Sequence, residues 1–243
     1  MKSIGVLLMC VSLAAACGAS TTPTPGPTPT ASPESVTPAP TGSPIVTPSS
    51  LFRDDLDRAL AAGWEWLNED PSAWNLTEEP GFLRIYVTPR SIRDEDPKNF
   101  LVRQAPTGDF VLETFMRFEP VQNFEFAGLL IYEQQRSAVQ FGRGFALDCG
   151  PTCIGNALYL EGVAAGVSTG PNIATSVAET GTAYLRLARL SNEYTAFYSV
   201  DGASWTMVGR LEATISPQFV GLIAGQGPPA ANAADFDYFV IGP

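Results

Sequence analysis

The chain has 243 residues, 45% of them apolar and 16% charged, with 14 Lys and Arg against 25 Asp and Glu and a formal net charge of −11. Such a balance repels phosphate backbones, and no run of basic residues interrupts it, so nucleic acid is excluded as a partner while neutral or cationic ligands suit the surface. Histidine is absent, which removes Ser-His-Asp and Cys-His nucleophiles and imidazole-ligated metal sites together.

In chain order, Met1-Lys2-Ser3 gives a short positive start to the apolar run Ile4 to Ala16, too short to span a bilayer comfortably and ending in small residues. Residues 1–16 therefore read as a signal peptide. The sequence Leu13-Ala14-Ala15-Ala16-Cys17 resembles the bacterial lipobox, with Ala14 where that motif usually has Leu. The resemblance implies cleavage before Cys17 and its lipidation, hence an exported chain held to the bacterial cell envelope by its lipid anchor and facing outward; plain secretion after an Ala-x-Ala cleavage is the alternative. Residues 17–50 form the tether: after Cys17 come nine prolines, eight threonines, one charge (Glu34) and no aromatic residue. That composition cannot bury enough apolar area to offset its ordering entropy, and it predicts a disordered linker.

Residues 51–243 are predicted to be one all-β domain. The one short helix candidate is Leu56 to Ala62, which stops at Gly63. Runs rich in β-branched and aromatic residues recur instead, divided by Gly, Pro, Asn and Asp. They are Trp64–Leu67, Phe82–Val87, Phe110–Phe118, Phe126–Tyr132, Ala157–Glu161, Ala183–Leu190, Tyr194–Val200, Trp205–Val208, Phe219–Ala224 and Phe236–Ile241. Asp201-Gly202 marks a hairpin between two of them. A dozen antiparallel strands in one domain require two packed sheets. In Cys149-Gly150-Pro151-Thr152-Cys153 the spacing is one residue too long for a thioredoxin-type motif, and an oxidising compartment with a Gly-Pro turn favours a local Cys149–Cys153 disulfide.

The ordered set Phe52-Arg53-Asp54-Asp55-Leu56, Trp64-Glu65-Trp66, Trp74-Asn75-Leu76, Pro80-Gly81-Phe82-Leu83-Arg84-Ile85, Gly108-Asp109-Phe110, Ala127-Gly128-Leu129-Leu130-Ile131-Tyr132, Tyr198-Ser199-Val200-Asp201-Gly202-Ala203-Ser204-Trp205 and Phe236-Asp237-Tyr238-Phe239 resembles the concanavalin A-like jelly roll that forms the C-terminal domain of family 43 β-xylosidases, and the related DUF1349 group. The likeness covers nearly all of residues 51–243. It implies a two-sheet antiparallel jelly-roll sandwich in a carbohydrate-associated context, and it does not bring the catalytic propeller of those enzymes with it. Glycosidases built on this fold carry Glu-x-Asp-x-x-Glu on one strand. No such triplet occurs here; Phe124-Glu125-Phe126 and Asp235-Phe236-Asp237 come nearest, without the partners hydrolysis needs.

The expected function is a membrane-tethered, non-catalytic module that binds or accompanies polysaccharide or glycan. A structural or protein-interaction envelope lipoprotein and a glycosidase-like enzyme are the alternatives. Trp64 and Trp66, two apart on a strand, share a face and with Trp74 can stack on sugar rings, or equally fill the core of a sandwich. Strand position adds Tyr132, Gln140 and Arg143 as polar partners for a ligand. By resemblance to related jelly rolls, Asp54, Asp55 and Asp237 can hold a structural calcium between the first and last strands; turn capping, or pairing with Arg53, is the other role open to them.

Overall fold

The computed structural model describes residues 50–228 and 232–243. The expected signal peptide, Cys17 and all but the last residue of the expected tether lie outside the described residues. Sixteen strands and no helix occur among those described. They are β1 (Phe52–Asp54), β2 (Glu65–Leu67), β3 (Trp74–Asn75), β4 (Leu83–Tyr86), β5 (Phe100–Gln104), β6 (Phe110–Arg117), β7 (Phe126–Gln134), β8 (Ser137–Ala146), β9 (Gly155–Ala164), β10 (Val167–Ser168), β11 (Ile173–Thr175), β12 (Thr182–Leu190), β13 (Glu193–Ser199), β14 (Thr206–Glu212), β15 (Phe219–Gly225) and β16 (Ala233–Gly242).

Every pairing is antiparallel, and two eight-stranded sheets result. The first runs β14-β13-β12-β6-β16-β4-β3 with β1 on β16; the second runs β10-β9-β8-β7-β15-β5-β2 with β11 on β9. Both ends of the domain thus meet in one sheet, where Phe52 pairs with Ile241 and Asp54 with Phe239. The segment Leu56 to Ala62 is a loop. Leu56 and Arg58 take positive φ there (52° and 63°), which an α-helix does not allow.

Alternation assigns the faces. Phe110, Leu112 and Met116 of β6, Leu185 and Leu187 of β12, and Phe236, Phe239 and Ile241 of β16 point between the sheets. There they meet Leu129 and Ile131 of β7, Val139 and Phe141 of β8, Leu158 and Leu160 of β9, and Leu222 of β15. In the first sheet the opposite face is mixed and half-buried, as Val111, Glu113, Phe115 and Arg117 of β6 show. β16 carries a bulge between Phe236 and Tyr238, and the Thr114 hydroxyl donates to the Tyr238 carbonyl beside it (2.6 Å).

The second sheet departs from that pattern. β7 and β8 are buried on both faces for most of their length. On the outer face Phe100, Phe126, Leu130, Tyr132, Tyr159 and Ile223 form a second apolar cluster. A loop across residues 87–99 covers part of it. Ile92 drops into the cluster fully buried, and Asn99 ties the loop to Asp70 and Ala73 through three hydrogen bonds. A sheet face normally given to solvent has been converted into a walled recess.

Candidate functional site

The recess opens beside the 87–99 loop as a cavity of about 630 Å³, within the roughly 300–1,000 Å³ range of small-ligand pockets. Its floor is the outer face of β8 and β9. Gln140 stands directly opposite Glu161 in the register, and Tyr159 opposite Gly142. Gln140 donates to Glu161 Oε2 (3.0 Å), and Gln226, just past β15, donates to Gln140 Oε1 (2.9 Å). At the far end Arg93 of the covering loop pairs with Glu161 Oε1 at 2.5 Å, and also donates to Asn172 (3.0 Å) and to the Ser168 hydroxyl. A continuous row Gln226–Gln140–Glu161–Arg93 therefore crosses the cavity. Burial pushes the Glu161 carboxyl above the usual carboxylate range, against the opposing pull of Arg93 and Gln140.

Aromatic residues make the walls, with Phe124, Phe126 and Tyr159 foremost. The Tyr159 hydroxyl donates to the Gly155 carbonyl (2.7 Å) and accepts from the Ile154 amide. Gly144 keeps the floor open, since a Cβ there would lie 2.9 Å from the Glu125 carbonyl and 3.3 Å from both the Phe126 and Tyr159 rings. One rim is the short loop closed by the Cys149–Cys153 disulfide, itself bound to Asn123 by paired hydrogen bonds to Leu147. Arg90, Phe124 and Gln226 all line the cavity at positive φ (88°, 72° and 68°). Non-glycine residues reach that region only when their surroundings hold them there, and such strain concentrates at binding sites.

Three carboxylates, Asp94, Glu125 and Glu161, line this cavity, Asp94 from the exposed part of the covering loop. Glu125 Oε2 accepts from the amides of Val121 (2.8 Å) and Gln122 (3.1 Å) and from Asn232 (2.8 Å). Glu125 Oε1 is buried with no hydrogen-bond partner among the described residues. Glu161 is held by Gln140 and Arg93 as above. Neither buried acid is presented as a free acid or nucleophile.

The residues singled out in the sequence divide sharply. Gln140 is on the cavity floor. Tyr132 shares that sheet face but is buried away from the cavity, its hydroxyl donating to Asp96 at 2.6 Å; it is a clamp for the 87–99 loop and not a ligand partner. Arg143 is three residues from Gln140, an odd separation, so it points the other way. It lies buried between the sheets, donating to Asn156 and to the Thr182 carbonyl (3.0 Å each), and burial lowers its pKa. A ligand on the cavity face cannot reach it.

Trp64, Trp66 and Trp74 do not form an exposed platform. All three are half-buried against the main core. Trp64 meets Phe52 and Phe239 edge-on, with centroids 5.8 and 5.1 Å away. Trp66 of the second sheet stacks on Trp74 of the first at 4.7 Å and 28°, closing the open edge where β2 and β3 end the two sheets. Core filling is the role their geometry supports.

Two of the three aspartates expected to hold calcium, Asp54 and Asp55, are engaged by other partners. Asp54 already accepts from Leu56 N (3.0 Å), Ala61 N (2.8 Å) and Trp64 Nε1 (2.7 Å). Asp55 pairs with Arg53 (2.6 Å). No cluster of three metal-ligating side chains exists among the described residues. Calcium wants several oxygens converging on one point, and here the Asp54 oxygens converge on N–H donors.

The profile of the family described as the β-xylosidase C-terminal concanavalin A-like domain matches residues 53–241. Among curated proteins, xylan 1,3-β-xylosidase of a Vibrio species is 27% identical over 211 residues, covering 79% of this chain and 38% of that protein. Among solved structures, xylan β-1,4-xylosidase from Bacillus halodurans C-125 superposes with a TM-score of 0.67 at 22% identity, over 79% of this chain and 39% of that one. The GH43 protein BlXynB from Bacillus licheniformis gives 0.67 at 23%, over 78% and 39%. These structural likenesses show the fold, and this chain spans about two-fifths of the length of these relatives.

Proposed function

Because the chain belongs to the family of β-xylosidase C-terminal concanavalin A-like domains, we propose that it is a carbohydrate-binding module without catalysis of its own, whose site is the cavity on the outer face of the second sheet. The row of side-chain amides and carboxylate beside Phe126 and Tyr159 carries this reading. Sugars present an apolar C–H face and a fringe of hydroxyls, and a ring wall next to alternating donors and acceptors answers both. The non-catalytic part rests on the two buried acids: Glu161 is held by Gln140 and Arg93, and Glu125 Oε2 by two amides and Asn232, whereas glycoside hydrolysis needs one free acid and one free base or nucleophile on either side of the bond.

The test is isothermal titration and polysaccharide pulldown with the full chain, using xylo-oligosaccharides first because the relatives are xylosidases. Gln226→Ala and Tyr159→Phe should weaken binding about tenfold, while Trp66→Ala should lower stability by about 2 kcal/mol and leave affinity unchanged. Affinity lost with Trp66 and retained in the cavity variants would move the site to the sandwich edge. Turnover of aryl-glycosides that is lost in Glu161→Gln would overturn the non-catalytic reading.

We assign the chain an outward-facing position on the envelope, held by lipidated Cys17 and held clear of it by the Thr/Pro-rich segment. Replacement Cys17→Ser should move the protein from the membrane fraction to the soluble fraction on cell breakage. Retention of the variant in the membrane pellet would refute the anchor.

A further inference from the structure

We infer that the cavity selects uncharged sugar units and turns away those bearing a carboxylate, an inference that rests on the glycan-binding reading above. Two basic and three acidic side chains line it: Arg90, Arg93, Asp94, Glu125 and Glu161. Both cations are occupied. Arg90 pairs with Glu95, and Arg93 with Glu161, Ser168 and Asn172. Arg93 spends all three guanidinium nitrogens and keeps no open bidentate edge for a carboxylate, and half-exposed Arg90 gives Nη1 to Glu95. On the acidic side Glu125 faces no cation, and its Oε1 is buried without a donor among the described residues. A uronate entering here would set its acceptor-only oxygens against the donorless Glu125 Oε1 in a partly dehydrated wall, where repulsion is screened least.

Hydrogen-bond capacity points the same way. The row uses one N–H of Gln226 and one of Gln140, and the Gln226 carbonyl accepts from no described residue. What remains is a mixture of N–H donors and oxygen acceptors, the latter including Glu125 Oε1. A hydroxyl both donates and accepts and can satisfy either kind, whereas a carboxylate only accepts and leaves the free acceptors unmatched at a cost.

The full chain should be titrated with xylotriose and with trigalacturonate, in low salt and in about 0.5 M salt. Xylotriose should bind about tenfold or more tightly than trigalacturonate in low salt, and the gap should narrow in high salt because screening relieves repulsion but does not alter shape. Glu161→Gln should narrow it as well, since it frees Arg93. Equal affinities, tighter uronate binding, or a gap that neither salt nor Glu161→Gln alters would overturn the charge argument while leaving the cavity as the site. Failure of both sugars, together with a blank polysaccharide pulldown, would instead remove the glycan-binding reading and this inference with it.

Discussion

Gly142→Ala should cost about 4 kcal/mol, more than the roughly 1–3 kcal/mol of ordinary overpacking, and should leave little folded protein at 37 °C. Gly142 lies in β8 opposite Gly128 in β7. A Cβ on Gly142 would stand 2.0 Å from the Ala127 carbonyl oxygen, and one on Gly128 would stand 2.3 Å from that of Phe141. Those obstacles are backbone, not flexible side chains. Neither strand can retreat, because both are buried on their two faces by the main core and by the cluster under the 87–99 loop. The control is Gly242→Ala at the end of β16, where a Cβ would meet nothing nearer than 3.9 Å; it should stay within about 0.5 kcal/mol of the parent. Urea unfolding followed by circular dichroism reads both. A parental midpoint for Gly142→Ala would mean that β7 and β8 are not apposed as described.

That pair of glycines also explains where the sequence was hard to read. Strands with one polar face announced themselves through alternation, as Tyr184-Leu185-Arg186-Leu187 does in β12, and the two-sheet sandwich was legible from a series of such runs. β8, a central strand of the second sheet, gives no such signal, because Phe141-Gly142-Arg143-Gly144 replaces outward side chains with hydrogen atoms and removes the periodicity. The site suffered for the same reason. Strand position alone places Gln140 and Arg143 together, whereas the register turns the two to opposite faces. Glu161 and Gln226 join Gln140 only through the pairing of β8 with β9 and the loop that leaves β15, contacts 21 and 86 residues apart in sequence. The tryptophans misled in the other direction. Indoles are equally suited to sugars and to sandwich edges, and only the inter-sheet stack of Trp66 on Trp74 distinguishes the two.

Asp54→Ala should destabilise the domain by about 4 kcal/mol. The carboxylate is buried at the end of β1 and gathers three donors from the loop that follows: the Leu56 and Ala61 amides and the Trp64 indole. That loop has no ladder of its own, and it holds Leu56, fully buried, at φ 52°. Removing the acceptor strands three N–H groups, each costing about 1–3 kcal/mol where water cannot replace it, and releases the indole from its position between Phe52 and Phe239. Trp64 fluorescence should therefore shift to longer wavelength in the variant. Asp54→Asn, which keeps one acceptor but turns an N–H₂ toward the donors, should fall between the two. The same variant separates capping from metal binding. If the carboxylate works as a cap, added calcium or a chelator leaves the melting temperature of the parent unchanged. A calcium-dependent rise in the parent that disappears in Asp54→Ala would show that its oxygens serve an ion, and the hydrogen-bonded arrangement of this loop would have to be abandoned.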